Sequence, residues 1–177
     1  MNLRPFEQHQ PRLGARVFVD PSACIIGDVV IGDDSSIWPM AVVRGDVHLI
    51  RIGARTSIQD GAVCHVTHAG PYNPDGHELH IGNDVTVGHK ALLHGCRIAD
   101  RVLIGMGAIV MDAAVVPSEV IIGAGSVVPA GRVLESGFLY LGAPARKIRP
   151  LTAEEIAFFR YSADNYVRLK NRYLGLE

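Results

Sequence analysis

The chain lacks the features that most often betray a function. Its three cysteines, at 24, 64 and 96, have neither a CxxC spacing nor an even count, which argues against a disulfide framework and a thiolate zinc site. Buried free thiols remain. No apolar run approaches the roughly eighteen residues of a membrane span, and "MNLRPFEQHQ" holds no apolar core of signal-peptide length. Neither charge is in excess. Seventeen basic and eighteen acidic side chains leave a formal net charge of -1, so an electrostatic nucleic-acid binder is not expected. With 48% hydrophobic and 20% charged residues in a chain of 177, disorder is disfavoured, and the length suits one domain with its own core. These absences predict a soluble, cytoplasmic protein with a small-molecule substrate, not a nucleic-acid or membrane partner.

Glycine, by contrast, is abundant. Nineteen glycines in a chain rich in valine and isoleucine suit turns that recur, not helices. Stepping by six from Val19 gives Ile25, Ile31, Ile37 and Val43, and after a phase jump Ile52, Ile58 and Cys64. A longer gap leads to Ile81, Val87 and Leu93, and a last series runs from Ile98 through Ile104, Val110, Val116 and Ile122 to Val128. Neither an amphipathic helix nor a hairpin sheet has this period. A six-residue strand-and-turn stacks only when the chain winds into a parallel β-helix, three units to a coil of about eighteen residues, with the lead residue inward. The expectation is an all-β hexapeptide-repeat β-helix over 1–150. The tail, 151–177, opens with Thr152 and Glu155, a capping box, and places Ile156, Phe159, Ala163, Tyr166, Val167 and Tyr173 on one side. That is an amphipathic helix, able to lie on its own β-helix or on a neighbour's.

Two histidines in "TVGHKALLHG" (86–95) lie five apart, a spacing that matches neither a helical face nor one side of a strand. The six-residue frame accounts for them. His65 follows Cys64 and His94 follows Leu93, so both stand just after a lead that ends a three-unit group. They are 29 residues apart, one coil of about eighteen plus an excursion of about eleven. "HAGPYNPDGHE" (68–78), with two prolines and two glycines, is that excursion. Removing it stacks the two imidazoles about 4.8 Å apart on adjacent coils, close enough to converge on one ion at about 2.0 to 2.1 Å each. His89, two after Val87, sits on the preceding face and points away. A threefold symmetry mate can bring it back to close the site, leaving a fourth position for water. The competing reading is three ordinary solvated or backbone-bonded histidines.

"RGDV" (44–47), "SIQDG" (57–61), "HVTH" (65–68) and "GHKALLHGC" (88–96) resemble the γ-class carbonic anhydrases and their bacterial hexapeptide-repeat homologues. The similarity spans nearly the whole chain, including "GAPARKIRPLT" (142–152). The resemblance implies a left-handed β-helix; the handedness comes only from the family, since ordinary parallel crossovers are right-handed. It further implies a homotrimer with Zn2+ at each subunit interface, held by His65, His89 and His94, a ligand set that suits Fe2+ or Co2+ as well. In the same likeness Arg44 and Asp60 tie subunits together, Asp46 joins their network, and Gln59 hydrogen-bonds the metal-bound hydroxide or product. Tyr161 and Asn165, four apart on the tail helix, lie near the metal. The implied activity is that of a lyase: metal-bound hydroxide attacks carbon dioxide and bicarbonate leaves.

The chain departs from the family pattern at three places. Val47 stands where an acidic residue follows RGD, the 68–78 segment replaces a glutamate-bearing loop, and Ser57 replaces an asparagine. His68, Tyr72, Asp75 and Glu78 are the substitutes within that loop for carrying a proton. Two other functions fit the same architecture: a hexapeptide acyltransferase or thioesterase acting on acyl-coenzyme A, and a metal-binding trimer with weak catalysis.

Overall fold

Every lead residue of the six-residue frame points inward. The leads from Ile25 to Val43, and from Val87 to Val128 with the near exception of Ile98, are fully buried, and Val19, Ile52, Ile81 and Ile98 are at most 5% exposed. Burying such side chains is worth about 1.5 to 3 kcal/mol each, so the stacked leads are the main stabilising column. The computed structural model, which describes residues 2–176, is accordingly a parallel β-helix with one helix at its end. One face is an eight-stranded sheet, running in parallel from Phe18–Val19 to Phe138–Leu141 and closed by the antiparallel Arg146–Pro150. The other two faces form one eleven-stranded sheet, because Cys24–Ile31 and Val42–Ile52 bend round the corner between them.

The ladders align lead with lead. Ile58 pairs with Val87 and Val87 with Ile104; Cys64 pairs with Leu93 and Leu93 with Val110. Residues 68–78 leave this stack as a small excursion, bridged at Thr67–His77 and Gly70–Asn73. The frame holds a second inward position, two before the lead. Small residues such as Ala41, Ala62, Ala91 and Ala108 fill it, and where it is polar the hydroxyl is satisfied: Ser35 Oγ donates to Gly53 O at 2.7 Å and Thr56 Oγ1 to Gly82 O at 2.8 Å.

One corner carries alternating charge. Arg16, Asp34, Arg55, Asp84, Arg101 and Glu119 occupy the same left-handed turn position on successive coils. They pair as Arg16–Asp34 (2.5 Å), Arg55–Asp84 (2.7 Å) and Arg101–Glu119 (3.1 Å). The C-terminal helix, Ala153–Leu174, docks along this corner on its own chain. Its Thr152–Glu155 capping box is formed, and Gly175 closes its end in the left-handed conformation. Asp164 reaches Arg55 at 2.8 Å and Lys170 reaches Asp34 at 2.8 Å. Tyr166 and Tyr173 pack on the Trp38 ring, with centroids 6.0 and 5.5 Å away, while Trp38 Nε1 donates to Ser36 and Ser57. The side of the helix expected to face inward needs one correction. Phe159 and Ala163 are buried there, but Ile156 and, despite its contact with Trp38, Tyr173 are exposed, and the contact is completed by Ser162, bonded to Thr86 at 2.8 Å, and by Lys170. Among the described residues no helix is long and apolar enough to cross a membrane.

Lys170 is fully buried, so its charge depends on Asp34. The Arg16 hydrogen bond, opposed by partial burial and reinforced by Lys170, holds the Asp34 carboxyl down at about 2. Asp34→Asn should destabilise the fold by about 3 kcal/mol at neutral pH, because it leaves a buried ammonium without its anion. Lys170→Met should cost less. A carboxyl lowered by folding contributes fully above its unfolded pKa of about 4 and loses that contribution as pH falls toward about 2. Urea unfolding should therefore show the gap between wild type and Asp34→Asn narrowing over that window.

Candidate metal centre

His65 and His94 end the strands Val63–His65 and Leu92–His94, and the two residues are in direct register. His65 Nδ1 lies 3.0 Å from His94 Nε2. The outer nitrogens meet carboxylates: His65 Nε2 is 3.0 Å from Asp46 and His94 Nδ1 is 2.7 Å from Asp112. A carboxylate only accepts, so each imidazole donates its N–H outward. The two inner nitrogens then face each other across 3.0 Å, a separation at which they can share a proton or a cation between them. Two donors on one tetrahedral ion stand roughly 3.3 Å apart. The donor set therefore fits a divalent metal of the zinc type.

The surroundings set the charge state around His65. Burial, above all, lowers the pKa of His65 and favours the neutral ring. Burial pushes Asp46 the other way, but hydrogen bonds from Arg44 and His65 outweigh it and leave the carboxyl below its ordinary range. Thr67 Oγ1 donates to Asp112, with its oxygens at 3.0 and 3.1 Å. Beneath the imidazoles, Cys64 and Cys96 are buried and their thiols pushed up by burial, Cys64 to about 12. They are inert core residues.

His89 lies elsewhere. Its Nδ1 is 2.9 Å from Asp60, and both side chains are about half exposed. It lines a cleft of about 480 Å3 between the helix and the β-helix, together with Gln59, Tyr161, Asn165 and Tyr166. Gln59 is buried and hydrogen-bonded to Tyr166, whose hydroxyl is raised by burial first and the charge of Asp60 second. The sequence-derived site thus falls into two halves on one chain. Gln59, His89, Tyr161 and Asn165 share the cleft, with Asp60 at His89; His65, His94, Asp46 and Arg44 form the other group. Arg44 pairs with Asp46 and not with Asp60. Among the described residues no three His, Cys, Asp or Glu side chains of a single chain are placed to hold a metal.

A bacterial transferase hexapeptide (six repeats) model matches residues 11–45. Protein YrdA of Escherichia coli K12 is 59% identical over 172 residues, covering 97% of this chain and 94% of that protein. Gamma carbonic anhydrase 1, mitochondrial, of Arabidopsis thaliana is 45% identical over 161 residues, 90% of this chain and 58% of that protein. The chain belongs to the hexapeptide-repeat family, in its γ-class carbonic anhydrase-like branch. A crystal structure of a hexapeptide transferase family protein from Anaplasma phagocytophilum superposes with a TM-score of 0.89 at 40% identity, covering 97% of this chain and 98% of that one. With the family comes the hand of the coil, a left-handed β-helix.

Within this family frame, the loop substitutes for a proton carrier separate. Glu78 is paired with Arg97, while Tyr72 is fully exposed. Three contributing residues escaped sequence reading. Counting one coil on from His94 reaches Met111 and Asp112, so the frame could have found Asp112; Thr67 and Tyr166 carry no comparable signal. Gly45 of the RGD stretch has a steric role. A Cβ there would lie 2.8 Å from Asp28 O, a backbone atom with little freedom to yield. Gly45→Ala should destabilise the fold by about 1 to 3 kcal/mol in urea unfolding, whereas Gly125→Ala, at a turn with open space, should lose only the smaller cost of its left-handed backbone.

Proposed function

We propose that this protein is a metal-dependent, γ-class carbonic anhydrase-like enzyme that works as a homotrimer. The observation that carries the reading is the convergence of His65 Nδ1 and His94 Nε2 to 3.0 Å, with the outer nitrogen of each ring on a carboxylate. In this reading His65 and His94 of one subunit and His89 of the next hold zinc, with ferrous iron or cobalt as substitutes. When bound, such a cation would supply water acidified toward neutrality, whose hydroxide would add to carbon dioxide to give bicarbonate as the released proton leaves to solvent.

The chain's own groups have distinct tasks. Asp46 and Asp112 orient the two imidazoles, the second-sphere arrangement that raises ligand basicity. In this reading Tyr166 holds Gln59, whose amide would hydrogen-bond the reacting oxygen. Tyr161 and Asn165 rim the cleft that admits substrate beside His89. Arg44 of one subunit and Asp60 of the next supply opposite charges to the interface, where such a pair sets register more than affinity.

The test is metal content per chain with mass in solution, on protein purified anaerobically without chelator. Wild type should carry one ion per 19.1 kDa chain at three times that mass and hydrate carbon dioxide. His89→Ala should keep its fold and lose the ion. Asp112→Asn should weaken metal affinity about 10- to 100-fold. A trimer that stays empty after incubation with zinc or ferrous iron would contradict the proposal.

A further inference from the structure

The 68–78 excursion is fastened at its base to the residues that hold His94. Thr67, just before it, and His77, near its end, exchange two backbone hydrogen bonds, Thr67 N–H to His77 O at 3.0 Å and His77 N–H to Thr67 O at 2.9 Å. Gly76 lets that base close. Its φ is +65°, and a Cβ there would lie 2.6 Å from Thr67 O. The Thr67 side chain turns the other way, where Oγ1 bridges both oxygens of Asp112 at 3.0 and 3.1 Å, and Asp112 in turn accepts from His94 Nδ1 at 2.7 Å. Gly95, the residue after His94, makes room for this junction. A Cβ on it would collide with Asp112 Oδ1 and lie 2.6 Å from His77 Cβ. Asp112 is not held by packing. Its side chain is 33% exposed on a turn, where a carboxylate has several rotamers open to it. Among the described residues its carboxylate has two hydrogen-bonding partners, His94 and Thr67. A single ring N–H does not fix both carboxylate oxygens; the bridging hydroxyl does.

We infer that Thr67 is a positioning residue and the 68–78 loop its brace: Thr67, held by the backbone of His77, fixes Asp112, which keeps the ring proton of His94 on Nδ1 and leaves Nε2 facing His65. The inference rests on the functional reading only in taking His94 as a metal ligand. The hydrogen bond at one ring nitrogen decides which nitrogen is left to bind, so a hydroxyl two bonds of the network away from the ion sets the ligand's tautomer. The loop thereby gains a task at the site in which none of its side chains touches substrate.

Nitrogen NMR of the histidine rings tests it on metal-free protein at alkaline pH, where imidazoles are neutral, with zinc affinity measured in parallel by chelator competition. His94→Ala assigns the signal among the eight histidines. Wild type should carry the His94 proton on Nδ1. Thr67→Val, which keeps the side chain's shape and loses its hydroxyl, should move His94 toward a mixture of tautomers and weaken zinc about tenfold, the lower end for outer-sphere partners. Thr67→Ser should restore both. Gly76→Ala, which forces the loop base away from Thr67 O, should act like Thr67→Val while the circular dichroism of the β-helix is unchanged. A Thr67→Val protein with the wild-type tautomer and zinc affinity, or a Thr67→Ser protein no better than the valine variant, overturns the inference; a Gly76→Ala protein identical to wild type overturns the part given to the loop. The two readings fail separately. A trimer that binds zinc but is indifferent to Thr67→Val defeats this inference alone, and a chain that takes no metal yet shows a Thr67-dependent His94 tautomer defeats the functional reading alone.

Discussion

The parallel register of the coils is the constraint on which the rest of the molecule depends. Because leads stack on leads, whatever stands one place after a lead is stacked as well, and Cys64 on Leu93 sets His65 on His94. The same register aligns Gly45 with Gly27 and carries six alternating charges down one corner. A slip of one residue would turn every lead outward. The 68–78 excursion is tolerated since it leaves and rejoins the stack without disturbing that alignment.

On this scaffold electrostatics divides the site into complementary parts. One part has two imidazoles pinned by carboxylates with their inner nitrogens converging. The other offers His89 at the edge of a cleft whose wall is the C-terminal helix. That helix is fastened by Asp164 to Arg55, by buried Lys170 to Asp34, and by tyrosines on Trp38. Its seating places Tyr166 on Gln59, so the integrity of the cleft is tied to ion pairs remote from the histidines. Neither part completes a three-histidine ligand set within a single chain.

The β-helix was legible because hydrophobic burial writes itself into sequence at a fixed period, and the stacked histidines followed from counting residues within that frame. Ile25 through Val128 needed no tertiary information. The charged corner and the helix seat were less legible, since Lys170 looks like any solvated lysine until Asp34, 136 residues earlier, is placed beside it. Ile156 was misjudged for a related reason: periodicity finds an apolar side, but the partner surface decides where that side ends. Tyr166 reads as a packing residue, and its link to Gln59 exists only through the fold. The second inward position, filled by alanines and hydroxyls, was hidden because small residues give a weak hydropathy signal.

The central claim is that one functional centre is assembled from two chains, and subunit complementation tests it most directly. His89→Ala and His65→Ala chains, each unable to hold the ion alone, would be co-expressed with different tags and the mixed trimers isolated. A shared site predicts that metal returns in the mixed trimers, because the His65→Ala subunit still lends its His89 to an intact His65 and His94 pair. Mixed trimers as empty as either parent would contradict the account.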